Sequence, residues 1–241
     1  MIILLGETAV ASEISKHLQN RGIDFIKKST WSDKNDLSAP SVIINVSHPF
    51  SDEFVSLSQF CKQSGIPYLR LERPETKIPD SSLIFRASSG EEALLRLNKR
   101  ICTLYKKQGC PVKVFVTTGS HQLESIVHSS FAGMARFVVR VLPEGRLVQK
   151  CQDLGIHPRD ILAMQGPFSK DINKALFKFY GADIVLMKDS GLADGTDTKI
   201  SAALELGLEI LLIRKNKVGY GLTMNNVDEL ITWIDSNISK L

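Results

Sequence analysis

No apolar run in this chain reaches the ~18 residues that a membrane-crossing helix needs. The opening Met1-Ile2-Ile3-Leu4-Leu5 meets Gly6 without the basic start and length of a signal peptide. The expectation is a cytoplasmic protein with no membrane partner. Cysteine is scarce: Cys61, Cys102, Cys110 and Cys151 stand far apart with no CxxC or Cys/His spacing, so reduced, mostly buried thiols are expected and no metal site. A large excess of one charge is lacking too. With 30 basic against 26 acidic residues and a net charge of +4, there is no basic stripe of the kind that binds nucleic acid, although the balance suits a small partner carrying several negative groups. Low-complexity tracts and repeats are absent, which excludes disordered and fibrous classes. The GxSxG elbow, P-loop, HExxH and kinase signatures are missing as well, so covalent hydrolase and metal chemistry have no support.

What is present is alternation. Short β-branched runs, each followed by a turn and an amphipathic stretch, predict strands at 2–5, 24–27, 42–46, 68–71 and 83–85, with helices at 9–21, 52–64 and 91–107. Gly22 and Gly65 read as helix stops. Gln108-Gly109-Cys110-Pro111 punctuates the chain. Strands at 112–116, 137–141, 161–164, 184–187 and 210–213 then alternate with helices at 147–154, 171–180, 196–206 and 227–237. The pattern predicts an α/β protein of two Rossmann-like or flavodoxin-like parallel-sheet domains, 1–108 and 109–241, facing a central cleft.

In such folds ligands sit beyond the carboxyl ends of strands, so the clusters that follow the apolar runs are the candidate site. Gly6-Glu7-Thr8 makes the first strand-to-helix turn, where a helix N-terminus can receive a phosphate; an ordinary tight turn capped by Thr8 is the competing reading. Lys27-Lys28-Ser29-Thr30 stands where a carboxylate would read the ribose of NAD, and its cations lean toward NADPH, or describe a solvated surface. Ser47-His48-Pro49-Phe50 offers His48 and Phe50 to an acidic, planar ligand. Arg70 and Arg73, in Arg70-Leu71-Glu72-Arg73-Pro74, offer two forks to carboxylates at one rim, unless they pair with Glu72. Thr117-Thr118-Gly119 opens the second half as Gly6 opens the first. Gln165-Gly166-Pro167-Phe168-Ser169 repeats that logic, with Ser169 as an N-cap. Lys188-Asp189-Ser190-Gly191, followed by Lys199, gathers cations, hydroxyls and glycines at one strand-to-helix junction and suits an anion.

Taken in order, these pieces resemble the precorrin-6A reductase family, in which a Gly-Gly-Thr turn, a Thr/Ser-His-Pro-Phe element, an Arg-Leu-Glu-Arg-Pro run, a Thr-Thr-Gly turn, a Gly-Pro-Phe element and a Lys-Asn-Ser-Gly motif recur along the chain. The departures are Glu7 for the second glycine, Val10-Ala11-Ser12 for Glu-Ala-Arg, Glu75-Thr76-Lys77 without the aromatic residue that often follows Arg-Pro, and Asp189 for Asn. The resemblance implies reduction of one double bond in precorrin-6A or its cobalt complex by NADPH or NADH. It implies cofactor contacts at Gly6, Thr8, Lys27, Thr118, Gly119, Ser190 and Gly191, and contacts to the tetrapyrrole from His48, Phe50, Arg70, Arg73, Lys188 and Lys199. A nucleotide-sugar transferase and a non-catalytic tetrapyrrole-binding module are the rival readings.

Overall fold

A computed structural model describes residues 1–31, 40–47, 53–72, 76–120, 122–214 and 221–237. In chain order, β1 (Ile2–Leu5), α1 (Ala9–Asn20), β2 (Phe25–Lys28), β3 (Val42–Asn45), α2 (Glu53–Ser64) and β4 (Tyr68–Leu71) come first. They are followed by β5 (Ile84–Ala87), α3 (Gly90–Gln108), β6 (Val112–Val116), α4 (Leu123–Val127), β7 (Ala135–Val141), α5 (Gly145–Asp153), β8 (Ile161–Ala163), α6 (Lys170–Tyr180), β9 (Ile184–Lys188), α7 (Thr196–Glu205) and β10 (Glu209–Ile213). The chain closes with β11 (Leu222–Met224) and α8 (Val227–Asn237).

The strands form two wholly parallel sheets, and the chain divides into two compact units. One unit comprises Met1–Pro74 and Lys217–Leu241, the other Glu75–Asn216. The domain boundary expected at 108/109 is therefore corrected in two places. β5 pairs with β10 and belongs to the second sheet, while β11 pairs with β4 and returns to the first. Sheet membership is decided by these long-range pairings, and neither Ile84–Ala87 nor Leu222–Met224 carries a local mark of its partner.

Why the runs form strands is visible in their burial. Every residue of β1 and β3 except Asn45 is apolar, and all are buried, as parallel strands covered on both faces require. Ile2, Leu4, Val42 and Ile44 pack with Ala11, Ile14 and Leu18 of α1 and Leu230 and Ile234 of α8. Ile3, Leu5 and Ile43 point the other way, onto Leu57 and Cys61 of α2. Each such aliphatic side chain contributes about 1.5–3 kcal/mol of transfer free energy. In the second unit Phe115, Val138, Val185, Met187, Ile210 and Leu212 of the sheet pack against Phe177 of α6 and Ile200 and Ala203 of α7.

Helix ends follow local chemistry. Thr8, Ser89 and Ser169 cap α1, α3 and α6 by accepting hydrogen bonds from Ala11, Glu92 and Ile172 N–H groups. Ser169 is thus the N-cap expected from the sequence. Among the described residues no helix is long and apolar enough to cross a membrane.

The strand orders position the site. The first sheet reads β11-β4-β3-β1-β2, a flavodoxin-like order in which the chain reverses direction between β1 and β3. The second reads β5-β10-β9-β6-β7-β8. Counted from β6, that is the Rossmann order with its switch between β6 and β9, and the sixth place is taken by β5, which precedes the rest in sequence.

Candidate active site

At the first switch point Gly6 leaves β1 with φ +126°, and a Cβ there would lie 2.9 Å from the Ser47 backbone nitrogen. Only glycine lets the turn after β1 approach the turn after β3 this closely. Thr8 then caps α1, and the first turn of that helix contains no acidic residue, so its N-terminal N–H groups remain favourable to an anion.

A buried polar network holds the end of β3. Asn45 Oδ1 accepts from the Ser47 backbone N–H at 2.9 Å and from Ser47 Oγ at 2.6 Å, while Asn45 Nδ2 donates to Tyr68 Oη at 2.9 Å. Arg70 Nη1 donates to Ser47 Oγ at 3.3 Å. Burial pushes the Tyr68 phenol up to about 12, and burial likewise lowers the Arg70 pKa, opposed by Tyr68 and Glu72. Arg70 is only 1% exposed. It therefore reaches the site through Ser47 and is not the open rim fork that alternation with Glu72 suggested. Lys27 is exposed on the edge strand β2. His48, Phe50 and Arg73 lie outside the described residues.

At the second switch point the structure gathers Thr117, Thr118 and Gly119 after β6 with Lys188, Ser190 and Gly191 at the end of β9. The Thr117 hydroxyl donates to the Leu186 carbonyl across the strand pair at 3.1 Å. Three buried oxygens in the segments that follow β6 and β9 have no hydrogen-bond partner among the described residues: Thr118 Oγ1, Asp189 Oδ1 and Thr196 Oγ1. Buried polar atoms are ordinarily satisfied, so an unpaired set at a switch point marks a place for ligand or solvent. Asp189 Oδ2 faces Arg214 Nε at 3.5 Å.

Lys199, on α7 one turn beyond Thr196, is 6% exposed. Burial, then repulsion from Arg140, draws its ammonium down to about 8, against the pull of Asp194, Asp189 and Asp197.

Beside this junction a cavity of about 360 Å³ opens at the ends of β6, β7 and β8, with Thr117, Gly119, Arg140, Met164, Phe168 and Asp194 among its walls. Asn173 of α6 organises it. Its Nδ2 donates to the Phe168 and Ser169 carbonyls at 3.3 and 3.0 Å, and its Oδ1 accepts from Arg140 Nη1 at 2.9 Å. Thr198 Oγ1 donates to the Phe168 carbonyl at 2.9 Å, tying α7 to the same loop. Arg140 and Asn173 were missed by sequence reasoning. The available signal was a lone arginine inside the buried run Phe137-Val138-Val139-Arg140-Val141, which a strand tolerates only where the charge has somewhere to go.

The first unit presents a glycine turn and a helix N-terminus, the second unit glycine turns, unpaired hydroxyls and buried cations, and among the described residues there is no cluster of metal-ligating side chains. Each unit is equipped to bind and orient anionic ligands.

A family model described as Precorrin-6x reductase CbiJ/CobK matches residues 8–235. The cobalt-precorrin-6A reductase of Priestia megaterium is 31% identical over 191 residues, covering 78% of this chain and 71% of that protein. The cobalt-precorrin-6A reductase of Methanocaldococcus jannaschii is 29% identical over an alignment of 260 residues, covering 97% of each. A solved structure of CobK precorrin-6A reductase aligns with a TM-score of 0.69 at 19% identity, covering 98% of this chain and 96% of that one, a likeness of fold. With its sheets, its strand-end turns and a match along nearly the whole sequence, this chain belongs to the precorrin-6x reductase family.

Proposed function

We propose that this protein reduces one double bond of precorrin-6A or cobalt-precorrin-6A to the 6B form in cobalamin biosynthesis, using NADPH or NADH. What carries the reading is the family match over residues 8–235 falling on a chain whose distinctive turns stand at strand ends. A bound nicotinamide supplies the hydride. The protein's part is to hold donor and acceptor carbons together and to keep water from the reacting pair, which needs no nucleophile or metal of its own.

The residues fit a dinucleotide. Gly6 keeps a side chain out of the β1–β3 junction, and the first turn of α1, capped by Thr8, carries no acidic side chain to repel a phosphate. In this reading Gly6 and Thr8 hold phosphate, Lys27 supplies the cation that favours NADPH, and Thr118, Gly119, Ser190 and Gly191 complete the cofactor contacts. Lys188 and Lys199 face carboxylates of the macrocycle, joined by His48, Phe50 and Arg73. Arg70 acts as a positioning residue, by fixing Ser47 and hence the direction in which the chain leaves β3.

Anaerobic incubation with precorrin-6A or cobalt-precorrin-6A and each reduced nicotinamide in turn tests this directly. The expected result is loss of nicotinamide absorbance in step with change in the macrocycle spectrum, larger with NADPH. Constant absorbance with both substrates and both cofactors overturns the proposal.

A further inference from the structure

Helix α6 has apolar residues on two sides, and its own unit covers only one of them. Asn173 and Phe177 are buried, and Leu176 rests partly buried against the same core. On the outer side Ile172 is 45% exposed and Phe179 81% exposed, with Ala175 exposed between them. At about 3.6 residues per turn, positions 172, 175 and 179 form one stripe along the helix. Single exposed apolar residues need no explanation, whereas a stripe with a small residue at its middle has the form of a seam against which a second helix packs closely. The Phe179 ring is also supported. It stands edge-on to Tyr180, with ring centres 5.0 Å apart at 83°, and Tyr180 is tied down by donating its hydroxyl to the Arg159 carbonyl at 3.1 Å. An aromatic side chain steadied at the surface is the type of anchor that dominates protein interfaces.

The charges of α6 select the occupant. Lys170 and Lys174 both pair with Glu205 of α7. Asp171 and Lys178, the other charged residues of this helix, form no ion pair among the described residues. They are exposed, the acid in the first turn and the base in the last. Seven residues separate them, about 10 Å along the axis, so both lie on the same flank of the apolar stripe. A two-fold axis passing beside Ala175 lays a second α6 antiparallel on the first and brings this flank against itself with its direction reversed. Asp171 of each copy then faces Lys178 of the other, and Ile172 of each copy meets Phe179 of the other. The opposed helix dipoles favour the same arrangement.

We propose that the outer face of α6 is a self-association surface, through which two copies of this chain form a two-fold antiparallel helix pair with Phe179 as anchor and two Asp171–Lys178 ion pairs along one edge. Such a pair needs neither cofactor nor macrocycle and is independent of the reductase reading. Sedimentation velocity on the full chain, at concentrations rising to about 100 µM, where interfaces at the small end of the size range associate, measures it. Wild type is expected to move from monomer toward dimer. Phe179→Ser changes a side chain in contact with solvent and is expected to weaken the dimer by at least about tenfold, the loss of one aromatic anchor.

Charge reversal identifies the partner as a second copy. Asp171→Lys and Lys178→Glu each set like charges opposite one another in the homodimer, and each variant alone is expected to associate about fivefold or more weakly than wild type. An equimolar mixture of the two variants restores both ion pairs in the mixed dimer and is expected to return to within about twofold of wild-type affinity. An effect on helix stability or on the helix dipole alone gives no such recovery, and the mixture still decides the matter should Phe179→Ser fail to fold. A wild type that stays monomeric throughout, a dimer indifferent to Phe179→Ser, or a mixture that associates no better than either charge variant by itself overturns the surface.

Discussion

Gly6 and Ser47 meet backbone to backbone where the first sheet reverses its strand order: a Cβ on Gly6 would stand 2.9 Å from Ser47 N and 3.0 Å from Val46 C. Main chain cannot swing aside as a flexible side chain can, and a φ of +126° is strained for any residue with a side chain. Gly6→Ala is expected to cost about 1–3 kcal/mol or more in urea unfolding. An alanine variant as stable as wild type contradicts the tight junction.

Lys199 predicts an unusual dependence on pH. Its ammonium is drawn from an ordinary 10.5 to about 8 in the folded protein. Between those values the unfolded chain binds a proton that the folded chain does not, so stability rises with pH across that window and the penalty is fully present below it. Lys199→Met is therefore expected to be more stable than wild type at neutral pH, by about 1–3 kcal/mol, with the advantage fading as pH approaches 10.5. Urea unfolding of both proteins at several pH values measures it. A destabilised methionine variant at neutral pH contradicts the sign. The same variant is expected to lose affinity for the macrocycle, since binding sites often keep groups that burden the fold.

Thr118 allows a cleaner separation of stability from binding. Its hydroxyl is buried without a hydrogen-bond partner among the described residues, so Thr118→Val removes an unsatisfied oxygen at nearly constant volume. Thermal melting is expected to show no loss, or a gain of up to about 1 kcal/mol. The KM for the reduced nicotinamide is expected to rise. Clear destabilisation with unchanged kinetics would make Thr118 a structural residue.

Asp160 is buried beneath the partly exposed Arg136, whose Nε donates to Asp160 Oδ2 at 3.0 Å. Asp160→Asn leaves the guanidinium without its counter-charge and is expected to cost about 1–3 kcal/mol, less than a wholly buried pair because Arg136 keeps contact with solvent. Denaturant unfolding tests this, and activity of the folded fraction should remain near wild type.

The sequence was most readable where local chemistry and tertiary packing agree. The runs Ile2–Leu5, Val42–Val46, Val112–Val116 and Ile210–Ile213 are apolar enough to be covered on both faces, and the structure makes each of them, or nearly all of it, a central or well-paired strand. β11 was invisible because it has only 3 residues, two of them exposed, at a sheet edge. The short helix α4 lacks a side-chain cap and offers no start signal. Within the site, glycine turns and hydroxyl clusters announced themselves by type and position. Arg70 and Arg140 did not reveal their surroundings, since alternation tells which way a side chain points along a strand but not whether a loop or helix folds over it. Asn45 and Asn173, which hold those surroundings together, have no periodic signature at all.

The return of β11 and α8 to the first sheet has a consequence for the order of events during synthesis. A ribosome finishes the uninterrupted stretch Glu75–Asn216 while the earlier-born strands β1 to β4 still await their last neighbour. The half that is started first is therefore completed last, and a nascent chain halted before Leu222 would carry an unpaired β4 edge and an uncovered face where Leu230 and Ile234 belong.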